Sequence, residues 1–193
     1  MSVVFFDVGE TLVDETRGWE RLADHTGVPR FTLMGILGGL AARGEPHVRV
    51  WELLGVDPPK SIAPGHSDFY RDALPCLGAL RHEGYRLGAA GNMPESFERL
   101  LSAHVDVTGS SQRWGFSKPA EEFFERIVEL AEAPPEEIAY VGDRVDNDVV
   151  PAKRAGMLAV HVRRGPWGYL HDASEADIRV DSLDELPEAL RRG

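Results

Sequence analysis

VVFFDVGETLVD, residues Val3 to Asp14, begins with four consecutive β-branched or aromatic residues and turns acidic at Asp7. An apolar run this short, with no polar alternation, is the pattern of a strand covered on both faces, as in a parallel sheet. The pattern recurs at Arg86 to Ala90, Ile138 to Gly142 and Leu158 to Val162, with helical periodicity between the runs. That alternation predicts an α/β fold in which parallel strands are joined by crossover helices. Asp7, Asn92 and Asp143 each stand just beyond one of these runs. In open α/β sheets, ligands gather beyond the carboxyl ends of the strands.

The helical stretches carry their own punctuation. Phe123, Phe124, Ile127, Val128, Leu130 and Ala131 form a core-facing stripe. Pro119 suits the first helical position there, Glu121 and Glu122 favour the positive end of the dipole, and Pro134 and Pro135 end the helix. Val149 to Ala155 reads as a short helix closed by Gly156, and Ser182 with Glu185 as the capping box of a final helix. Between Asp14 and His66 there is no convincing strand. Amphipathic pieces at Trp19 to His25, Leu33 to Ala42 and Val48 to Leu54, separated by Gly27, Gly44 and Gly55, predict a small all-helical insertion. The expected division is residues 14–66 as the inserted unit, with 1–13 and 67–193 as the core.

A chain of 193 residues is long enough for one well-cored body with an appendage. Its 42% hydrophobic and 27% charged residues are ordinary globular values. With 21 basic against 32 acidic side chains the net charge is −11, and no basic patch interrupts it, which opposes nucleic acid and anionic membranes as partners. Cys76, the single cysteine, cannot form an intrachain disulfide. Its neighbours Leu74, Leu77 and Leu80 place it on a buried helical face, as packing and not as a nucleophile. The start of the chain lacks the basic region and cleavage site of a signal peptide, and the weakly polar stretch Phe31 to Ala42 is too short to span a bilayer. A soluble cytoplasmic protein is expected. Its oligomeric state is not readable.

Four segments occur in order: FFDVGETLVD, AAGNMP with Gly91 and Asn92, FSKP with Lys118, and VGDRVDND from Val141 to Asp148. They resemble the four motifs of the haloacid dehalogenase-like (HAD) hydrolase superfamily. The resemblance extends through VVPAKRAGM and spans nearly the whole chain. It implies a Rossmann-like core with a helical cap inserted after the first motif. By the same resemblance Asp7 would be the nucleophile, forming an aspartyl-phosphate that water then hydrolyses. Asp7, Asp143, Asp148 and the backbone carbonyl of Gly9 would hold Mg²⁺, with Asp148 either a direct ligand or the holder of a metal-bound water. Lys118 would neutralise charge shared by Asp7 and the phosphoryl group, Thr11 would order the loop after the nucleophile, and Gly91 and Asn92 would face the phosphate. Asp146 is read as a surface residue.

Two departures from the family pattern bear on activity. Phosphatases of the superfamily carry a second aspartate two residues after the nucleophile, as general acid and base, where this chain has Gly9. They usually carry serine or threonine where it has Gly91. Loss of a general acid/base typically costs about 10²- to 10⁴-fold in rate. Glu10, next in sequence, either replaces it or faces solvent at the hinge. The expected activity is therefore a Mg²⁺-dependent hydrolase of a small phosphorylated metabolite, slow on ordinary alkyl phosphates. One alternative is a binding module that holds metal and anion without turnover. Another is a 2-haloacid dehalogenase, against which the retained VGDRVDND segment weighs, because dehalogenases need no metal. Substrate choice is expected in the insertion, where Arg21, His25, Arg30, His47 and Arg49 either reach the site or lie on its surface. Arg163 to His171, with Trp167 and Tyr169, reads as a rim, an oligomer contact or a plain loop.

Overall fold

A computed structural model describes residues 1–192. Its strands are β1 (Val3–Phe6), β2 (Arg86–Gly91), β3 (Val107–Ser110), β4 (Ile138–Gly142), β5 (Leu158–Val162) and β6 (Ile178–Val180). They form one sheet in the order β3-β2-β1-β4-β5-β6, with every pairing parallel. The four apolar runs are its centre. Val3 of β1 lies opposite Arg86 on one side and Ile138 on the other, and Phe6 opposite Ala89 and Val141. The fold is the Rossmann-like α/β arrangement expected from the sequence. β3 and β6 were not expected, and both lie at the edges. VTGS and IRV are short, mixed in polarity and only partly buried, so neither shows the uniform apolar signature of a central strand.

The helices are α1 (Thr16–Thr26), α2 (Arg30–Ala42), α3 (Arg49–Leu54), α4 (Ala73–His82), α5 (Glu98–Leu101), α6 (Ser111–Trp114), α7 (Glu121–Ala131), α8 (Val150–Arg154), α9 (Gly165–Leu170) and α10 (Leu186–Arg192). Alternate residues of β1 face opposite sides of the sheet. Val4 and Phe6 join a core with Ala73, Cys76, Leu77 and Leu80 of α4 and Leu186 and Leu190 of α10. Val3 and Phe5 join Phe123, Phe124, Ile127 and Ala131 of α7 and Ala152 of α8. Cys76 is buried, as its neighbours implied, and burial raises its thiol to about 12, out of the nucleophilic range.

Three local expectations differ in detail. α7 begins at Glu121 with Ala120 as its N-cap, so Pro119 belongs to the loop that presents Lys118 and not to the first turn. α8 is preceded by a π-helical turn, Val145–Val149, in which the Val149 amide reaches back to Arg144 O at 3.1 Å. Ser182 caps by accepting from the Asp184 amide, and Glu185 accepts from Asp181, so the reciprocal bond of a capping box falls one residue early.

The chain leaves the sheet after β1 and returns before α4 along paired backbone. The Asp14 amide donates to Asp68 O at 2.8 Å, and the Tyr70 amide to Leu12 O at 2.9 Å. Between these crossings α1, α2 and α3 bury Ala23, Leu33, Leu37, Leu40, Ala41, Val50 and Trp51 in a cluster of their own, completed by Trp167 of α9. Trp167 is thus a packing residue, while Tyr169 is exposed. Arg30 pairs with Glu20 and Asp24, Arg49 with Glu45, and His47 lies against the rings of Trp19 and Trp167. Among the described residues, no helix is long and apolar enough to cross a membrane.

Candidate active site

β1 and β4 are neighbours from which the chain runs outward in opposite directions along the sheet, so a crevice opens between their carboxyl ends. Asp7 and Asp143 stand on its two sides. The Asp7 amide still donates to Val141 O at 2.8 Å, which holds its backbone in sheet register while its side chain projects beyond the strand end. Asp148 enters from the π-helical turn after β4, and Lys118 from the loop before α7. All four side chains are buried.

Carboxylate oxygens of Asp7, Asp143 and Asp148 lie within 4.8 Å of one another. The Lys118 Nζ donates to Asp7 Oδ1 and to Asp148 Oδ1, each at 2.5 Å. Its ammonium also lies 5.7 Å from the ring centre of Tyr140 and 5.9 Å from that of Phe123, a cation–π setting in a dry pocket. Three ionised carboxylates against one ammonium would leave a formal charge of −2 here. Burial, then the charges of Asp148, Asp7 and Glu10, pushes the Asp143 carboxyl well above its ordinary range. Burial also raises Asp148; Lys118 opposes this, Asp7 adds to it, and the carboxyl stands at about 6. Burial alone would lower the Lys118 ammonium, but Asp148 and Asp7 hold it well above the ordinary lysine value. The site is short of positive charge. Hard oxygen donors carrying two surplus negative charges fit a divalent cation of the Mg²⁺ type better than a metal favouring nitrogen or sulfur.

Asp148 is held at both ends. Its Oδ2 accepts from the Arg144 amide at 3.0 Å, and its side chain packs directly over Gly142. A Cβ at position 142 would fall 2.4 Å from Asp148 Cγ, so the close approach admits only glycine. Asp146 pairs with Arg144 at the surface, as expected.

The supporting residues have specific contacts of their own. Both ends of the Asn92 amide engage the Lys118 main chain: Nδ2 donates to Lys118 O at 3.0 Å, and Oδ1 accepts from Lys118 N at 2.8 Å. Asn92 therefore positions the loop that carries Lys118. Gly91 ends β2 beside the Asp7 side chain; a Cβ there would lie 3.2 Å from Asp7 Oδ1. Thr11 Oγ1 is buried without a hydrogen-bond partner, and it is the Thr11 carbonyl that anchors the loop, accepting from Arg164 Nη1 at 2.8 Å. Glu10 neither faces solvent nor points freely into the crevice. With φ at +52°, it accepts from Tyr70 Oη at 2.6 Å and from the Glu15 amide at 3.0 Å.

Glu15 is the residue that sequence reasoning missed. It is the N-cap of α1, and its carboxylate lies over Gly9: a Cβ built on Gly9 would fall 2.7 Å from Glu15 Oε1 and 2.8 Å from Cδ. Surrounding protein, then the charges of Glu10 and Asp7, pushes its carboxyl up to about 7. Water still reaches this residue, so the contributions of those charges are partly screened. The available signal was an empty general-acid position followed by an acid-rich stretch that includes Glu10, Asp14 and Glu15.

Residues 115–186 match the model of a family described as HAD-hydrolase-like. The chain is 31% identical over 168 residues to the glyceraldehyde 3-phosphate phosphatase of Methanopyrus kandleri, an alignment covering 76% of this chain and 72% of that one. Among solved structures it is similar to a HAD phosphatase from Thermococcus onnurineus, with a TM-score of 0.67 and 23% identity over 98% of each chain. It is also similar to a 2-haloacid dehalogenase from Pseudomonas syringae pv. Tomato DC3000, with a TM-score of 0.65 and 21% identity over 100% of this chain and 99% of that one. At these identities the two solved structures bear on the fold alone.

Proposed function

Because the chain belongs to the haloacid dehalogenase-like hydrolase superfamily, as a phosphatase-type member, we propose that it is a Mg²⁺-dependent phosphatase of a small phosphorylated metabolite, acting through an aspartyl-phosphate on Asp7. The observation that carries this reading is the Lys118 ammonium held at 2.5 Å from both Asp7 and Asp148, with Asp143 in the same cluster.

Asp7 attacks phosphorus while Lys118 counters the charge shared by its carboxylate and the phosphoryl oxygens. Asn92 fixes the Lys118 backbone, so the ammonium is placed before substrate arrives. Asp148, pinned by Arg144 N, keeps that ammonium from leaning wholly onto the nucleophile. Asp7, Asp143 and Asp148, with the Gly9 carbonyl, would hold Mg²⁺, which when bound supplies charge neutralisation for the transferring group. The helices of residues 14–66 act as a cap over a core of 1–13 and 67–193, and the protein works in the cytoplasm. The M. kandleri relative makes glyceraldehyde 3-phosphate the first substrate to try.

Phosphate release from an aryl phosphate and from glyceraldehyde 3-phosphate, with Mg²⁺, with chelator, and for Asp7→Asn, tests the reading. Turnover that requires both Mg²⁺ and Asp7 is expected; equal rates in all three conditions overturn it. The rival of a non-turning binding module draws on Gly9 and Gly91, which leave Asp7 flanked by two positions without side chains. It predicts Mg²⁺ and phosphate binding with no Asp7-dependent release.

A further inference from the structure

Beside the cluster of Asp7, Asp143, Asp148 and Lys118, the loop after β1 carries Glu10, Asp14 and Glu15. Two of these are committed to backbone and side-chain partners. Glu10 accepts from Tyr70 Oη and from the Glu15 amide, and Asp14 Oδ1 accepts from the Thr16 amide at 2.8 Å. Glu15 forms no ion pair among the described residues, and water reaches it.

The volume that Glu15 fills is decided by Gly9. A side chain at position 9 would start 2.7 to 3.2 Å from three atoms of the Glu15 carboxylate group, so an aspartate there and Glu15 in its present pose exclude each other. Position 9 lies two residues beyond Asp7, on the backbone that leads away from the strand end. The Glu15 pose is itself anchored. Its amide is held by Glu10 Oε1, its carbonyl accepts from the Trp19 amide at 3.0 Å, and the Gly9–Val13 bridge turns the chain back on itself. In this arrangement the Glu15 carboxylate takes the space that a side chain at position 9 would take.

We propose that Glu15 is the general acid and base of this enzyme, placed by the absence of a side chain at Gly9. The proposal rests on the Asp7 phosphatase reading. As Asp7 Oδ bonds to phosphorus and the ester P–O bond breaks, the Glu15 carboxyl gives its proton to the departing oxygen, releasing an alcohol. The Glu15 carboxylate then takes a proton from water as that water attacks phosphorus. The P–O bond to Asp7 breaks, inorganic phosphate leaves, and Glu15 is protonated again.

The test compares an alkyl phosphate with 4-nitrophenyl phosphate, at saturating Mg²⁺, for wild type, Glu15→Gln, Glu15→Ala, Gly9→Asp/Glu15→Ala and Asp7→Asn. Glu15→Gln is expected to lower kcat/KM for the alkyl ester by about 100-fold or more, the usual contribution of general acid catalysis. For the nitrophenyl ester, whose leaving group needs no proton, kcat/KM falls less than about tenfold. Its kcat drops further, with a nitrophenol burst and accumulated phosphoenzyme, because water is no longer activated. The double variant regains at least about tenfold over Glu15→Ala on the alkyl ester. Equal losses on both esters without phosphoenzyme accumulation, an unchanged alkyl rate in Glu15→Gln, a double variant no better than Glu15→Ala, or a wild type unable to turn over alkyl esters each overturns the assignment. Asp7→Asn separates the two readings. If it is as active as wild type, the phosphatase reading fails and takes the Glu15 role with it; if it alone is inactive, only the Glu15 role fails.

Discussion

Mg²⁺ should raise the melting temperature of this protein, and Asp143→Asn should abolish that response while leaving the metal-free protein no less stable. Asp7 and Asp148 each share the Lys118 ammonium, whereas Asp143 has no ion-pair partner among the described residues. Burial and the neighbouring carboxylates push its carboxyl well above the ordinary range. Without a cation, Asp143 is therefore a source of repulsion or a site of forced protonation, and an amide there relieves it. With a cation the sign reverses. At about 100 times its Kd, a ligand that binds only the folded state adds about 2.7 kcal/mol. For a chain of this size each kcal/mol moves Tm by about 2–4 °C, so a rise of about 5–11 °C is expected. Differential scanning calorimetry of wild type and Asp143→Asn, with EDTA and across a Mg²⁺ titration, reads both signs. The variant should melt at or above wild type in EDTA and below it in saturating Mg²⁺. A wild type indifferent to Mg²⁺, or a variant with the same response, would refute the reasoning.

Four further outcomes follow from contacts in the fold. Asp72→Ala should destabilise the fold by about 3–5 kcal/mol, because it strands the buried Arg164 guanidinium and removes the acceptor of Ser182 Oγ and Leu183 N; chemical denaturation that gave under 1 kcal/mol would contradict the pairing. Burial alone would raise the Asp72 carboxyl, but the Ser182 hydrogen bond, the Arg164 charge and the Leu183 amide leave it below its ordinary value. A carboxyl lowered on folding stabilises above its unfolded value of about 4 and loses that contribution as pH falls through its folded value, so the gap in Tm between wild type and Asp72→Asn should be full at neutral pH and close in acid. Gly142→Ala puts a methyl 2.4 Å from Asp148 Cγ; a loss of about 1–3 kcal/mol by urea titration is expected, together with a weaker Mg²⁺ shift as Asp148 is displaced. Asn92→Ala removes both bonds to the Lys118 backbone and should lower kcat more than KM, with about 1–3 kcal/mol of stability lost; unchanged kinetics would show that Lys118 needs no such support.

What the sequence disclosed depended on how far each feature was determined locally. β1, β2, β4 and β5 are predominantly apolar because helices cover both faces of the sheet, and that burial is written into their composition, with Arg86 at the start of β2 and His161 within β5 as the polar exceptions. β3 and β6 are edge strands whose exposed positions dilute the pattern. Asp7, Lys118 and Asp143 were legible because strand ends and loops of a parallel sheet share one edge. The Asn92 clamp was not, since it joins residues 26 apart through main-chain atoms that no side-chain pattern reveals. Glu15 was hidden by a loop conformation. Only the left-handed backbone of Glu10 and the reversal over residues 9–13 bring position 15 back above position 9.

The same loop shows how the candidate chemistry can stay fixed while its surroundings vary. Arg164 binds the Thr11 carbonyl and pairs with Asp72, which in turn accepts from Ser182 and Leu183 at the start of the C-terminal helical turn. Tyr70 holds Glu10, and Leu12 O holds the Tyr70 amide. The backbone beyond Asp7 is thereby tied to the sheet-bearing part of the molecule at several points. The helices α1 to α3 share a hydrophobic cluster that takes in Trp167 of α9, and Arg17 of α1 pairs with Asp68 at the return crossing. Substitutions among Leu33, Leu37, Leu40 and Trp51 alter the helical cluster first and reach the site through α9, whose Trp167 ring lies 4.8 Å from the Arg144 guanidinium. Glu15 is a more direct link, because it is both the N-cap of α1 and the carboxylate over Gly9. A shift of α1 along its axis would move that carboxylate relative to Asp7 while the metal-capable cluster stayed in place. Under the proposed mechanism, proton transfer is then more exposed to changes in the helical segment than nucleophilic attack.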